Sequence, residues 1–276
     1  MKKQVGILVD TTQCIGCMAC EDACADKWGF PHTDVHELSS QKNTVVQQWD
    51  ETYVPRLCMH CEEPTCASVC PVGALHKTAD GPVVYDESKC IGCRYCVQAC
   101  PFQIPKYQWN MPNPKVTKCN MCSERVEAGK QPACVEACPA QARVFGYRDD
   151  LLDAAKQKIK ANPSTYIQHI FGETEVGGTS TIYLAGVDFA KLGFKTDLPK
   201  TALPQYSWNI MSKIPDYFVW GTTLMTGFWW LTNRKKKVAE YEAKLKSETP
   251  SKGDKEIGRN DGENEHQNAG EQNDQQ

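Results

Sequence analysis

The sequence predicts an α+β architecture in which short strands and helices are strung between repeated cysteine loops, with one apolar helix near the C-terminus. Three observations lead there. Sixteen cysteines fall in four groups of four, and none lies outside a group. Strand-like runs and turn signals alternate between the groups. A run of sixteen uncharged residues, Tyr217 to Thr232, is followed after Asn233 by four consecutive cations, Arg234 to Lys237.

The groups are Cys14, Cys17, Cys20 and Cys24; Cys58, Cys61, Cys66 and Cys70; Cys90, Cys93, Cys96 and Cys100; and Cys119, Cys122, Cys134 and Cys138. The third reads CIGCRYCVQACP, the run C-x2-C-x2-C-x3-C-P that holds cubane [4Fe–4S] clusters in bacterial ferredoxins. Four thiolates complete one cubane, so sixteen complete four with none to spare. A disulfide scaffold belongs to short secreted chains and does not use this tight spacing. Structural zinc wants two C-x2-C pairs across a spacer, a pattern only the fourth group approaches. Reactive redox thiols come singly or in pairs.

Taken in order, Val5–Asp10 reads as a strand feeding the first cysteine loop. The second and third groups form one module: Cys70-Pro71, a turn at Asp80-Gly81-Pro82, a strand Val83–Tyr85, then the third group. The first and fourth groups form a second ferredoxin-like two-cluster module whose halves are separated in sequence. The fourth group again closes with Cys138-Pro139 and a strand-like Ala142–Gly146, whereas the first group has Cys24-Ala25 and no proline. Gly16 and Gly92 sit between the first two ligands of their groups, where a bare backbone can turn its N–H toward sulfur. The first half of the chain holds little Leu or Ile, so cluster binding is expected to supply much of its folding energy. Leu151 to Ala161 has apolar residues at 151, 152, 154, 155 and 159 and reads as an amphipathic helix. A further strand is expected over 181–187.

The expected domain layout is a four-cluster ferredoxin-like unit over 1–150, with the second module, 57–105, inserted in the first. A docking or extension segment follows over 151–213, then a transmembrane helix over 214–233 and a polar cytoplasmic tail over 234–276. Aromatics at both ends of the apolar run and the abrupt cationic stop argue for the span. Its sixteen uncharged residues and its threonines argue against it.

A net charge of −3 gives no reason to expect a nucleic-acid partner. Gly177-Gly178-Thr179-Ser180 lacks the lysine of a phosphate-binding loop, and no catalytic Ser/His/Asp or paired-carboxylate set stands out. His60, within the second group, reads as a hydrogen-bond donor behind the ligands or as a plain loop residue. No histidine lies in the expected span, so this chain holds no haem by itself. The first apolar run is too short for a signal peptide and no Arg-Arg pair occurs.

CMHCEEPTCASVCP at 58–71, CIGCRYCVQACPFQIPKY at 90–107, ACVEACPAQARVFG at 133–146, VGGTSTIYLAG at 176–186 and Leu198-Pro199-Lys200 resemble the iron–sulfur β subunits of the dimethyl-sulfoxide-reductase superfamily. They look most like those of membrane-bound formate dehydrogenase N, and are also similar to the ferredoxin-type subunit of periplasmic uptake [NiFe] hydrogenases. The resemblance implies one cluster on Cys14, Cys17, Cys20 and Cys138, and a neighbour on Cys119, Cys122, Cys134 and Cys24. It implies a third on Cys90, Cys93, Cys96 and Cys70, and a fourth on Cys58, Cys61, Cys66 and Cys100. Some relatives carry tryptophan at the position of Cys93 and a [3Fe–4S] centre; cysteine here implies four cubanes. The implied role is a non-catalytic electron relay between a catalytic molybdopterin or tungstopterin subunit, or a [NiFe] one, and a membrane cytochrome b or quinone-reactive subunit. The implied place is the bacterial inner membrane, and the cation count puts the cluster domain on the periplasmic side. A membrane-tethered polyferredoxin or redox sensor without a fixed partner is the rival from another class.

Overall fold

The computed structural model describes residues 4–112 and 114–248. In chain order its strands are β1 (Val5–Asp10), β2 (Val45–Trp49), β3 (Thr52–Arg56), β4 (Leu75–Lys77), β5 (Val83–Tyr85), β6 (Lys106–Tyr107), β7 (Val116–Thr117), β8 (Arg143–Tyr147) and β9 (Thr181–Leu184). The helices are α1 (Ala19–Trp28), α2 (Thr65–Ser68), α3 (Tyr95–Ala99), α4 (Ser123–Glu127), α5 (Ala133–Glu136), α6 (Arg148–Ala161), α7 (Leu203–Met211) and α8 (Ile214–Glu248). The chain divides into two compact units, with the border between Lys213 and Ile214.

The first unit is organised on a three-stranded sheet of order β8-β1-β9. β8 runs antiparallel to β1 with Arg143 opposite Val9, and β9 runs parallel to β1 with Thr181 opposite Ile7. All three strands were legible as apolar runs, although β9 ends at Leu184 rather than 187. The expected turn at Asp80-Gly81 joins β4 to β5 as an antiparallel hairpin, with Gly81 at φ 116° where an L side chain would be strained. α6 begins earlier than expected, at Arg148, and buries Leu151, Leu152, Ala155 and Ile159, while Ala154 faces outward.

No border shows at residue 150. The segment 170–194 supplies Phe171, Tyr183, Phe189, Leu192 and Phe194 to the core that also holds Ile7, Val9, Val54, Met121, Cys20, Cys58, Cys119 and Cys134. Its rings pack edge-on or tilted, with Phe171 and Phe194 centroids 4.7 Å apart. The cysteine loops, poor in Leu and Ile themselves, therefore borrow apolar mass from sequence far downstream. Cluster binding is not their sole source of cohesion.

The second unit is the helix α8, 35 residues long. The transmembrane helix expected over 214–233 is helical, but no helix among the described residues is long and apolar enough to cross a membrane. Thr222, Thr223, Thr226 and Thr232, with Gly221 and Gly227, dilute its Trp, Phe and Leu. The tryptophans and Tyr217 are themselves interfacial rather than strongly apolar. The orientation inferred from the cations depends on such a span. Tyr217, Phe218, Trp220, Leu224, Met225, Phe228 and Trp229 are all exposed along it. Most of the expected polar tail, from residue 249 on, lies outside the described residues.

Candidate iron–sulfur site

Each cysteine loop turns on the same backbone feature. The second residue after the first cysteine of every group is left-handed: Gly16 (φ 68°), His60 (φ 47°), Gly92 (φ 70°) and Met121 (φ 57°). That conformation swings the peptide N–H back onto the preceding sulfur. Gly92 N–H donates to Cys90 Sγ at 3.4 Å and Met121 N–H to Cys119 Sγ at 3.3 Å. Gly16 N–H does the same for Cys14. Glycine reaches this conformation freely, which is the signal read at two of the four loops. A Cβ on Gly16 would also lie 2.6 Å from the Tyr53 ring.

The proline after a group's last cysteine marks a second device. Past Cys70-Pro71 the N–H groups of Val72, Gly73, Ala74 and Leu75 turn toward the Cys70 sulfur, and Ala74 N–H reaches it at 3.2 Å. Burial works against the thiolate there, but the four N–H groups outweigh it and lower the pKa. Phe102, Gln103 and Ile104 surround Cys100 in the same way, though burial keeps that thiol raised. Cys24 lacks the proline because it lies inside α1, where backbone N–H groups are spent on helix bonds. Burial, then Cys134 and Cys122, push it up to about 12.

The thiols that oppose one another's charge fall into groups. Cys14 feels Cys138 and Cys17. Cys24 feels Cys134 and Cys122. Cys61 feels Cys58, Cys100 and Cys66. Cys96 feels Cys93, Cys90 and Cys70. Longer-range pairs link these sets in a row: Cys20 with Cys134, Cys119 with Cys58, and Cys66 with Cys96. Desolvation is the first cause of the rise at each, to about 11 at Cys20 and about 12 at Cys66. Desolvation and mutual repulsion both oppose ionisation of these thiols, so thiolates held here call for a cationic partner. Among the described residues no three His, Cys, Asp or Glu side chains close around a single-ion position. A cubane spreads its four ligands over four irons, and soft thiolates suit it. The donor sets fit that group.

Two buried cations were not singled out by sequence. Lys118 donates to the carbonyls of Val83 and, at 2.8 Å, Cys119, and its charge helps Cys66 toward thiolate. Arg143 is 3% exposed. The signal in sequence is a full charge beside short strands, Lys118 directly after β7 and Arg143 at the start of β8. His60 is buried, accepts Val83 N–H on Nδ1 at 2.9 Å and leaves Nε2 without a partner. Burial, with Lys118 and Lys77 nearby, holds its pKa well below the usual histidine value, so it is neutral.

Two family models described as 4Fe-4S dicluster domains match residues 13–74 and 49–148. Hydrogenase-2 operon protein HybA of Escherichia coli O157:H7 is 36% identical over 244 residues, spanning 71% of this chain and 73% of HybA. This chain belongs to the family of iron–sulfur subunits of molybdoenzyme and related respiratory complexes. The B subunit of anaerobic dimethyl sulfoxide reductase of E. coli K12 is 42% identical over 160 residues, 55% of this chain and 77% of its own length. The iron–sulfur subunit of nitrate-inducible formate dehydrogenase of E. coli K12 is 34% identical over 204 residues, 66% and 68% respectively. The iron–sulfur subunit is thus an electron-transfer protein rather than a catalyst, and its sixteen cysteines match four [4Fe–4S] clusters.

Proposed function

We propose that this subunit carries electrons between a catalytic molybdopterin subunit of the formate dehydrogenase type and a cytochrome b or quinone-reactive subunit in the membrane. Its cluster ligands are the four sets Cys14/Cys17/Cys20/Cys138, Cys24/Cys119/Cys122/Cys134, Cys58/Cys61/Cys66/Cys100 and Cys70/Cys90/Cys93/Cys96. The observation that supports the reading is the row of sets linked by charge repulsion between Cys20 and Cys134, Cys119 and Cys58, and Cys66 and Cys96, with an exposed cysteine at each end, Cys17 and Cys93. Bound clusters would accept and release single electrons, dividing a two-electron oxidation into steps. The chain's part is to hold the sets in order, surround their sulfurs with N–H groups and bury the inner two. The exposed Ile15 and Ile91 beside the terminal cysteines offer apolar contacts to a partner at each end.

A second reading, a [NiFe] hydrogenase partner, is favoured by the hydrogenase-2 relative, which spans more of the chain at higher identity than the formate dehydrogenase relative. Purifying the tagged subunit from its own host under anaerobic conditions decides between them. Molybdenum or tungsten in the complex, with clusters reduced by formate, establishes the first reading. Nickel, with clusters reduced by hydrogen, establishes the second. A solitary chain carrying iron alone would leave it a free-standing polyferredoxin.

The exposed aromatic stretch of α8, ending at Arg234 to Lys237, supports attachment to the membrane or to the membrane partner's apolar surface. Truncation after Lys213 should then release the cluster unit from washed membranes, and retention of the truncated chain would refute the attachment. In spheroplasts carrying the full chain with a tag on Gln276, protease should reach the cluster unit if the complex is periplasmic. A protected tag would restore the span.

A further inference from the structure

Arg143 is a buried cation with no carboxylate to pair with it among the described residues. It sits on β8 opposite Val9, with its neighbour Val144 turned out to solvent. Among the described residues Nε, Nη1 and Nη2 have no carbonyl or carboxylate partner, and the side chain within hydrogen-bonding reach is the Cys134 thiol. It lines one pocket with Cys14, Cys17, Cys20 and Cys138. An unpaired guanidinium inside a protein is strongly unfavourable unless counter-charge and acceptors surround it. Here the surroundings are thiols of both sets of the first module: its charge is felt at Cys14, Cys20 and Cys24, and Cys20 and Cys134 attract it in return.

We propose that Arg143 is a tuning residue shared by the two clusters of the first module, its fork of N–H donors directed at their sulfurs and its charge raising both potentials. Five donors on one rigid plane suit two acceptors on different sides, which an ammonium does not match. A cation and hydrogen bonds to sulfur both favour the more negative, reduced cluster, so both raise its potential. Among the described residues the second module shows no such cation; Lys118, buried beside it, is already committed to two carbonyls.

The proposal rests on the ligand sets given above, and one titration separates the two. Full-length protein is loaded anaerobically, assayed for iron, and titrated potentiometrically with EPR detection. About sixteen irons and four titrating centres in the unaltered protein test the ligand reading alone. In Arg143→Met with full iron, two of the four midpoints should fall. Each should change the reduced-to-oxidised ratio at fixed potential at least tenfold, about 59 mV for one electron. The other two should stay. Arg143→Lys, keeping the charge but not the fork, should lower the same two by less. Four unchanged midpoints, or four moved alike, would overturn the proposal. If the Met variant loses iron, the Lys variant decides: two lowered midpoints support the assignment, and four unaltered ones refute it.

Discussion

At the scale of single residues, the left-handed position two after each leading cysteine is the feature most often repeated, and it was half legible. Glycine announces it at Gly16 and Gly92. At His60 and Met121 the conformation is imposed by packing, since both are fully buried, and no propensity rule points to it. The two kinds of strain can be separated by experiment. Gly29 is left-handed with open space around it, so Gly29→Ala should cost only the backbone strain, about 1–2 kcal/mol. Gly16→Ala adds the clash with Tyr53, about 1–3 kcal/mol more. Anaerobic denaturant midpoints of the loaded proteins should rank them in that order; equal midpoints would show that Tyr53 yields without cost. Cys93 makes a different point. Replacing it by Trp removes one thiolate from an exposed set, and the expected outcome is a three-iron EPR signal in the oxidised protein with three cubanes left. An unaltered spectrum would show that Cys93 is not a ligand.

At the scale of elements, the sheet and the β4–β5 hairpin were readable because apolar runs and Asp-Gly turns are local signals. The β2–β3 hairpin was not. Gln47, Gln48 and Trp49 break its apolar alternation, and the strands are fixed by a contact distant in sequence: Glu21 of α1 accepts Val46 N–H. The same carboxylate pairs with Lys42 at 2.7 Å and His36 at 3.0 Å, and both Glu21 and Lys42 are buried. Glu21→Ala strands the Lys42 ammonium, a loss of about 3–5 kcal/mol. The lower end is expected, because Lys42 keeps the carbonyls of Thr33 and Val35 at 2.7 and 2.8 Å. Measured as a stability change, a loss under about 1 kcal/mol would mean the pair is solvated. α7 went unread because Leu203, Pro204, Trp208 and Met211 are exposed along it or only half covered, leaving no clean buried stripe.

At the scale of the whole molecule, the count of sixteen cysteines made the four-cluster capacity legible, while the single unit reaching to Lys213 was not. Nothing local tells that Phe171 and Phe194 complete a core begun at Ile7. Two sources of cohesion, iron and aromatic packing, therefore hold the unit together, and removing one should expose the other. Stripping iron with a chelator and reductant should leave repelling, desolvated thiols around an intact aromatic core. The expected product is compact, with β-sheet circular dichroism retained and cysteine loops open to alkylation. Complete loss of the dichroism would instead mean that iron holds the fold nearly alone. Finally, the exposure of Cys17 and Cys93 cuts both ways. The openings that bring a donor or acceptor within electron-transfer reach also admit dioxygen, whereas the buried Cys119 and Cys58 are shielded on all sides. Air should therefore erode the row from its two ends inward. The subunit would lose contact with its partners while its inner clusters were still intact, and a capped position inside a complex becomes its protection from air.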